Sequence, residues 1–264
     1  MTTLQIILIA LFIYLGSIGS IVGNTIGWYT LGRPLVAAFI VGLIMQDVQS
    51  AMIVGIALQI MYMGNVTPGG AVAWDLSYAT YIGTAGALVF GKGLDSTELI
   101  GMAVIFAGIG GLVGQLMWNI SYALNLPLNR IAQKYAAQGE TRKMWIPNVA
   151  LAQTIGFLCR VVPALIVLTS MTAASQQADF ASLIPGWVTT ALGIFGGMMA
   201  ALGMGIILSF LWKKQYQIVI FLAGFILVTY FELSMMAVAV IGVIIAVLYF
   251  YGFSNTENKE GIKS

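Results

Sequence analysis

Residues 33–64 read RPLVAAFIVGLIMQDVQSAMIVGIALQIMYMG, and they set one carboxylate, Asp47, between two apolar arms that are each too short to cross a bilayer. One helical span takes about 20 apolar residues. An apolar half-helix, a polar tip and a second half-helix predict a re-entrant hairpin, because non-helical backbone at membrane depth survives only against protein or a water-filled cavity. Interrupted helices of this kind build the solute sites of secondary transporters.

The rest of the chain is equally apolar. Of its 264 residues 60% are hydrophobic and only 8% charged, and mean hydropathy is +0.97, whereas a soluble domain carries about a quarter charged residues. Apolar runs lie near 4–27, 35–63, 71–91, 99–126, 146–174, 186–212 and 217–253, with short loops between them. The expectation is an all-α polytopic integral membrane protein: one transmembrane domain over residues 1–253 and a polar tail over 254–264. The N-terminal run has no basic flank and no small-residue cleavage site, which predicts a retained first helix over a cleaved signal peptide.

Charge placement predicts sidedness. Residues 127–145 hold Arg130, Lys134, Arg142 and Lys143 against Glu140 alone, so this loop is expected on the cytoplasmic side with Lys213 and Lys214. Residues 92–98 and 175–185 then fall outside. If residues 35–63 turn back, Arg33 is cytoplasmic and the N-terminus outside; if they cross, both assignments reverse. Trp28, Trp118, Trp145, Trp187 and Trp212 sit near run ends, as an aromatic belt requires, and Trp74 does not. A net charge of +2 leaves no basic stripe with which to follow a nucleic-acid backbone.

The hairpin stretch resembles the membrane subunit IIC of the mannose family (mannose, sorbose and N-acetylgalactosamine types) of bacterial phosphotransferase systems. The matching residues are Arg33-Pro34-Leu35, Gly42, Asp47, Gly55, Leu58 and Gly64. The resemblance implies a translocating subunit of the cell inner membrane. It also implies partners: a second membrane subunit, IID, in a hetero-oligomer, and soluble IIA and IIB subunits that relay phosphate from phosphoenolpyruvate.

The segment after the hairpin, Gln59 to Asp75, reads QIMYMGNVTPGGAVAWD. It breaks the helix with Gly64, Pro68, Gly69 and Gly70 while presenting Gln59, Asn65, Thr67, Trp74 and Asp75. Amides and carboxylates take paired hydroxyls, and an aromatic face covers the apolar face of a pyranose. These five residues are the candidate substrate ligands; the plain alternative is an interfacial turn with Trp74 in the aromatic belt. Many members of the resembled family have Glu in place of Gln59 and Ala-Pro-Asp or Pro-Pro-Asn in place of Ala73-Trp74-Asp75, so the sugar is left open. The Thr67-Pro68 pair is similar to the amino-sugar branches.

An ionisable group at mid-membrane depth costs at least about 2.5 kcal/mol on insertion scales, so Asp47, Arg160 and Glu232 each call for a partner or a role. Asp47 is read either as a cap for the free amides of the hairpin arms or as a functional carboxylate. Arg160 is read as a helix-joining salt bridge or a solute contact. The run 217–253 repeats the hairpin pattern, from Lys214 to Glu232 as from Arg33 to Asp47, which makes a second hairpin and an inverted repeat candidate features; alternatively Glu232 pairs with a buried cation such as Arg160. Two sets of small residues, Gly16, Gly19, Gly23 and Gly27, and Gly193, Gly197, Ala201 and Gly205, have the spacing of close-packed helix faces.

The chain has no histidine, and its one cysteine, Cys159, lies in an apolar run. No phosphoryl carrier, disulfide framework, metal-ligand set, cofactor motif or nucleotide-binding loop is therefore read here. Phosphate must come from another subunit. The sequence reading is a non-catalytic permease for a hexose or hexosamine, phosphorylated at the cytoplasmic mouth by phospho-IIB, with the basic loop as its docking surface. The alternatives are a cation-coupled transporter using Asp47 and Glu232, and a membrane scaffold.

Overall fold

The computed structural model describes residues 1–63, 74–176 and 216–260, together with residues 187, 190, 191, 194, 198, 201, 204, 205, 208, 209 and 212. The described elements are helical. In order they are α1 (Thr3–Leu15), α2 (Gly23–Ile26), a π-helical turn (Gly27–Leu31), α3 (Pro34–Met45), α4 (Val48–Met61), α5 (Leu76–Phe90), α6 (Ser96–Ala137), α7 (Thr141–Trp145), a second π-helical turn (Ile146–Leu151), α8 (Ala152–Gln176), α9 (Tyr216–Thr229) and α10 (Met235–Glu260). The chain divides into two units, Met1–Ile207 and Leu208–Ser264.

In the first unit residues 35–63 turn back. Helices α3 and α4 run antiparallel, joined by two residues: Gln46 takes the left-handed conformation (φ 61°), and Asp47 caps α4 by accepting from the Ser50 amide at 3.1 Å. At about 18 and 21 Å long, neither arm spans a hydrocarbon core of roughly 30 Å. Two glycines let the arms touch. A Cβ on Gly42 would lie 2.7 Å from that of Ala51, and one on Gly55 2.5 Å from that of Ala38. Pro34 opens α3, and its N-terminal residue Arg33 makes no side-chain cap; instead Gln59 Oε1, across the hairpin, accepts from the Leu35 amide at 3.4 Å. At the other end Gln5 Nε2 donates to the Ile44 carbonyl at 2.9 Å.

The N-terminal run, expected as one span over 4–27, is broken. Helix α1 stops at Leu15 because Gly19 and Gly23 each take φ of 75°, a conformation that suits glycine and ends a helix. The set Gly16, Gly19, Gly23 and Gly27 is thus not one helix face. Gly16 does serve close approach, with Ser77 and Gly32 about it. After this turn, Gly23–Leu31 and α3 bend by 76° relative to each other. Trp28 is buried in the π-helical turn and so packs inside the protein, not in an aromatic belt.

The basic loop is also corrected in shape. Helix α6 continues past residue 126 through Pro127 to Ala137, so Arg130 and Lys134 ride its last turns, while Arg142 and Lys143 lie on α7. The helix-forming run after Asn129, RIAQKYAA, carries the helix on beyond Pro127, although an interior proline costs about 3 kcal/mol through a lost hydrogen bond and a ring clash. Among the described residues α6 and the stretch Thr141–Gln176 are long and apolar enough to cross a membrane.

The core lies where α5 is enclosed by α1, α3, α6 and α8. Tyr78, Tyr81, Ile82 and Ala85 of α5 pack with Ile9, Ile13, Val41 and Leu168, and two of its hydroxyls have backbone partners on neighbouring segments: Ser77 donates to the Ile13 carbonyl at 2.9 Å and Tyr81 to that of Leu31 at 3.0 Å. In lipid, such packing and bonding hold helices together where the hydrophobic effect cannot.

In the second unit, α9 and α10 meet at a break containing Glu232, which has φ of 51°. Ser234 Oγ then caps α10, accepting from the Ala237 amide at 3.2 Å. The hairpin tip is built alike, with one left-handed residue followed by a side-chain cap. Gly193 and Gly197 lie outside the described residues.

Candidate functional site

Asp75 closes the segment proposed from sequence and opens α5. Its Oδ1 accepts from the Tyr78 amide at 3.0 Å, the N-cap bond that satisfies one of the free donors of a helix start. Its Oδ2 is paired with the Arg160 guanidinium. Both residues are only 3% exposed. The Tyr78 hydroxyl donates to the Arg160 carbonyl, and the guanidinium lies 5.6 Å from the Tyr78 ring centroid and 5.1 Å from that of Trp118. Arg160 therefore takes Asp75 as its partner, and its charge is further met by two aromatic faces.

Helix α6 makes room for this cluster. Gly110 faces the Tyr78 backbone, Gly111 the Trp74 ring and Gly114 the side chains of Asp75 and Tyr78, so a Cβ at any of the three would crowd them. The signal was present in the sequence as GIGGLVG over 108–114, a denser run of small residues than the sets read above. Trp74 rests with its ring edge against Gly111 and is 39% exposed. Gln59 stands half-buried at the base of the hairpin. Asn65 and Thr67 lie outside the described residues, as do Lys213 and Lys214.

Asp47 lies elsewhere. With Met1, Gln5, Lys92 and Ser175 it lines a cavity of about 350 Å³ at the hairpin tip. This grouping puts the N-terminus, the tip, the 92–98 turn and the end of α8 at one end of the unit, as the hairpin option requires. Glu232 belongs to the second unit and is exposed. Arg130, Lys134, Arg142 and Lys143 are all exposed, and Lys143 is held by Glu140 at 2.8 Å. No cluster of metal-ligating side chains occurs among the described residues.

The profile of the phosphotransferase-system sorbose-specific IIC component family matches residues 3–248. The chain belongs to this family. This IIC component is 29% identical over 249 residues to the mannose-specific EIIC component of Escherichia coli, covering 94% of this chain and 88% of that one. It is 27% identical to the sorbose-specific EIIC component of Klebsiella pneumoniae, with 94% and 88% covered, and 28% identical to the fructose permease IIC component of Bacillus subtilis, with 94% and 87% covered. Its fold is similar to a solved mannose transporter, ManYZ, in complex with a microcin, at TM-score 0.52 and 26% identity, with 95% and 96% covered. It is also similar to a chain described as a membrane protein, at TM-score 0.74 and 24% identity, with 95% and 96% covered. As a IIC component it is a membrane-embedded permease subunit, and its relatives favour that reading over a cation-coupled carrier.

Proposed function

We propose that this IIC subunit binds a hexose or hexosamine among Gln59, Asn65, Thr67, Trp74 and Asp75, carries it across the bacterial inner membrane with a IID subunit, and delivers it to phospho-IIB, itself charged by IIA. What supports the site is that Trp74, partly exposed, adjoins Asp75 at the start of α5, while Gln59 lies half-buried in α4 at the base of the hairpin. An aromatic plane beside planar polar groups is what a pyranose takes. Asp75 still has lone pairs beyond those used by Tyr78 and Arg160, since a carboxylate accepts about four bonds. In this reading the basic residues from Arg130 to Lys143 form the docking surface for phospho-IIB.

Uptake by membrane vesicles tests the reading. Asn65→Ala and Gln59→Ala each remove a hydrogen bond of about 1 kcal/mol, or about 1.5 to 3 if the donor or acceptor is charged, so apparent affinity should fall by roughly five- to a hundred-fold. Unchanged affinity in both variants removes the segment from the site. Uptake should also require phosphoenolpyruvate and the soluble carriers; uptake driven by an ion gradient alone overturns the phosphotransfer mechanism.

A further inference from the structure

A cavity of about 170 Å³ opens between α1, α6 and α8, and Arg160 forms part of its wall. It is distinct from the segment ending at Asp75, yet the Asp75–Arg160 pair touches both. Two residues that line it carry a buried polar atom without a protein partner: Arg160 Nη2 and Asn125 Oδ1. The first only donates and the second only accepts. Neither atom is open to the space as the side chains stand, and a hydroxyl, which donates and accepts, satisfies each once its side chain turns toward it.

The charge of the wall narrows the class of ligand. Arg160 is the one charged residue among those that line the cavity, and Asp75 neutralises it, so a neutral solute is favoured over a phosphate. Tyr14, Trp118 and Tyr122 supply apolar faces beside Ser17, Ser121 and Asn125. The Gln153 amide is held at both ends, accepting from the Tyr14 hydroxyl at 2.7 Å and donating to the Gly19 carbonyl at 2.9 Å, and so fixes the shape of the wall. Tyr122, 56% exposed, stands at the mouth. The space exceeds the roughly 150 Å³ cavity that holds benzene in an engineered protein.

We propose that this cavity is a second solute subsite, taking a neutral, hydroxyl-rich ring of the monosaccharide class and joined to the first site through the Asp75–Arg160 pair. The proposal rests on the reading that the cargo is a sugar. Gly156 offers a clean way to close the site: it lines the cavity, and a Cβ there meets nothing within 4 Å. Gly156→Leu has room for its Cβ and should occupy the space and, at a helical position, bring no loss of helix propensity.

The test uses the full chain in its native membrane vesicles, with Cys159→Ser and Tyr122→Cys, labelled by a charged thiol reagent in the presence of D-mannose, L-sorbose, D-fructose or N-acetylgalactosamine. At five times Kd about one site in six is free, so the effective sugar should slow labelling about sixfold. Gly156→Leu should abolish that protection. Protection that survives Gly156→Leu reports a remote conformational change and overturns the subsite, as does protection by inorganic phosphate alone, or a Tyr122→Cys thiol that the reagent never reaches. A parallel Met63→Cys probe, at a side chain 52% exposed within the first-site segment, separates the two readings. Protection there without protection at Tyr122→Cys overturns only the second subsite, and protection at neither position overturns both.

Discussion

The Asp75 carboxylate and the Arg160 guanidinium, 85 residues apart in sequence, meet as an ion pair with each side chain only 4% exposed. Taking either charge out of water is expensive, and breaking such a pair by removing one partner costs about 3 to 5 kcal/mol because the other charge is stranded. Asp75→Leu and Arg160→Met should each lower the unfolding temperature of the purified subunit sharply. The double variant should be more stable than either single one, since no lone charge remains. Additive losses in the double-mutant cycle would show that the pair contributes no coupling.

At the hairpin tip, Asp47→Asn keeps an acceptor for the Ser50 amide and should leave stability near wild type. Asp47→Leu loses it and should cost about 1 kcal/mol. Denaturation midpoints of the two variants check this. Normal folded yield with no transport in Asp47→Leu would mark the carboxylate as functional instead.

The hairpin seam can be tested by swapping its small residues. Gly55→Ala adds a Cβ that would lie 2.5 Å from the Ala38 Cβ, and overpacking of this kind costs about 1 to 3 kcal/mol. Adding Ala38→Gly should recover most of that loss. A double variant no more stable than Gly55→Ala alone would show that the two helices do not meet at this pair.

Gln46 is left-handed at φ 61°, a region that costs a non-glycine residue about 1 to 2 kcal/mol. Gln46→Gly should therefore be neutral or stabilising, and Gln46→Val should lower thermal stability. Equal stability of the two would contradict the two-residue turn.

Reversing Arg142 and Lys143 to Glu should slow sugar phosphorylation by the soluble carriers and flatten its salt dependence, while sugar binding to the membrane complex persists. A topology reporter on each variant controls for inverted helices. A phosphorylation rate equal to wild type across a range of salt would reduce these residues to a topology signal.

The hairpin was legible because its signal is local: two arms below spanning length, an acid between them and a proline at the start. The break after Leu15 was not, because a glycine with φ of 75° and a glycine that admits a neighbouring helix are the same letter. Gly19 and Gly23 proved to be the first kind, and Gly110, Gly111 and Gly114 the second. Arg160 could be identified as needing a partner from its apolar surroundings. That the partner was Asp75 depends on α5 and α8 packing side by side, which no spacing in the sequence encodes. Pro127 read as the edge of a loop, yet the helix runs through it into two further turns of good helix formers, because a proline penalises a helix without forbidding it.

Helix α6 holds Trp74, Asp75 and Tyr78 in its glycine groove and carries Lys134 near its far end. From Gly114 to Lys134 is about 30 Å of continuous helix. The proposed solute seat and the proposed landing place for the phosphate donor are thus mounted on one lever. A 10° tilt about the groove would swing Lys134 by about 5 Å, roughly one helical turn. Pro127, between the two, is the natural place for that lever to flex. A carrier landing on the outer arm would bear on the same helix that walls the proposed solute seat, with the stiffness at Pro127 setting how much of the motion passes.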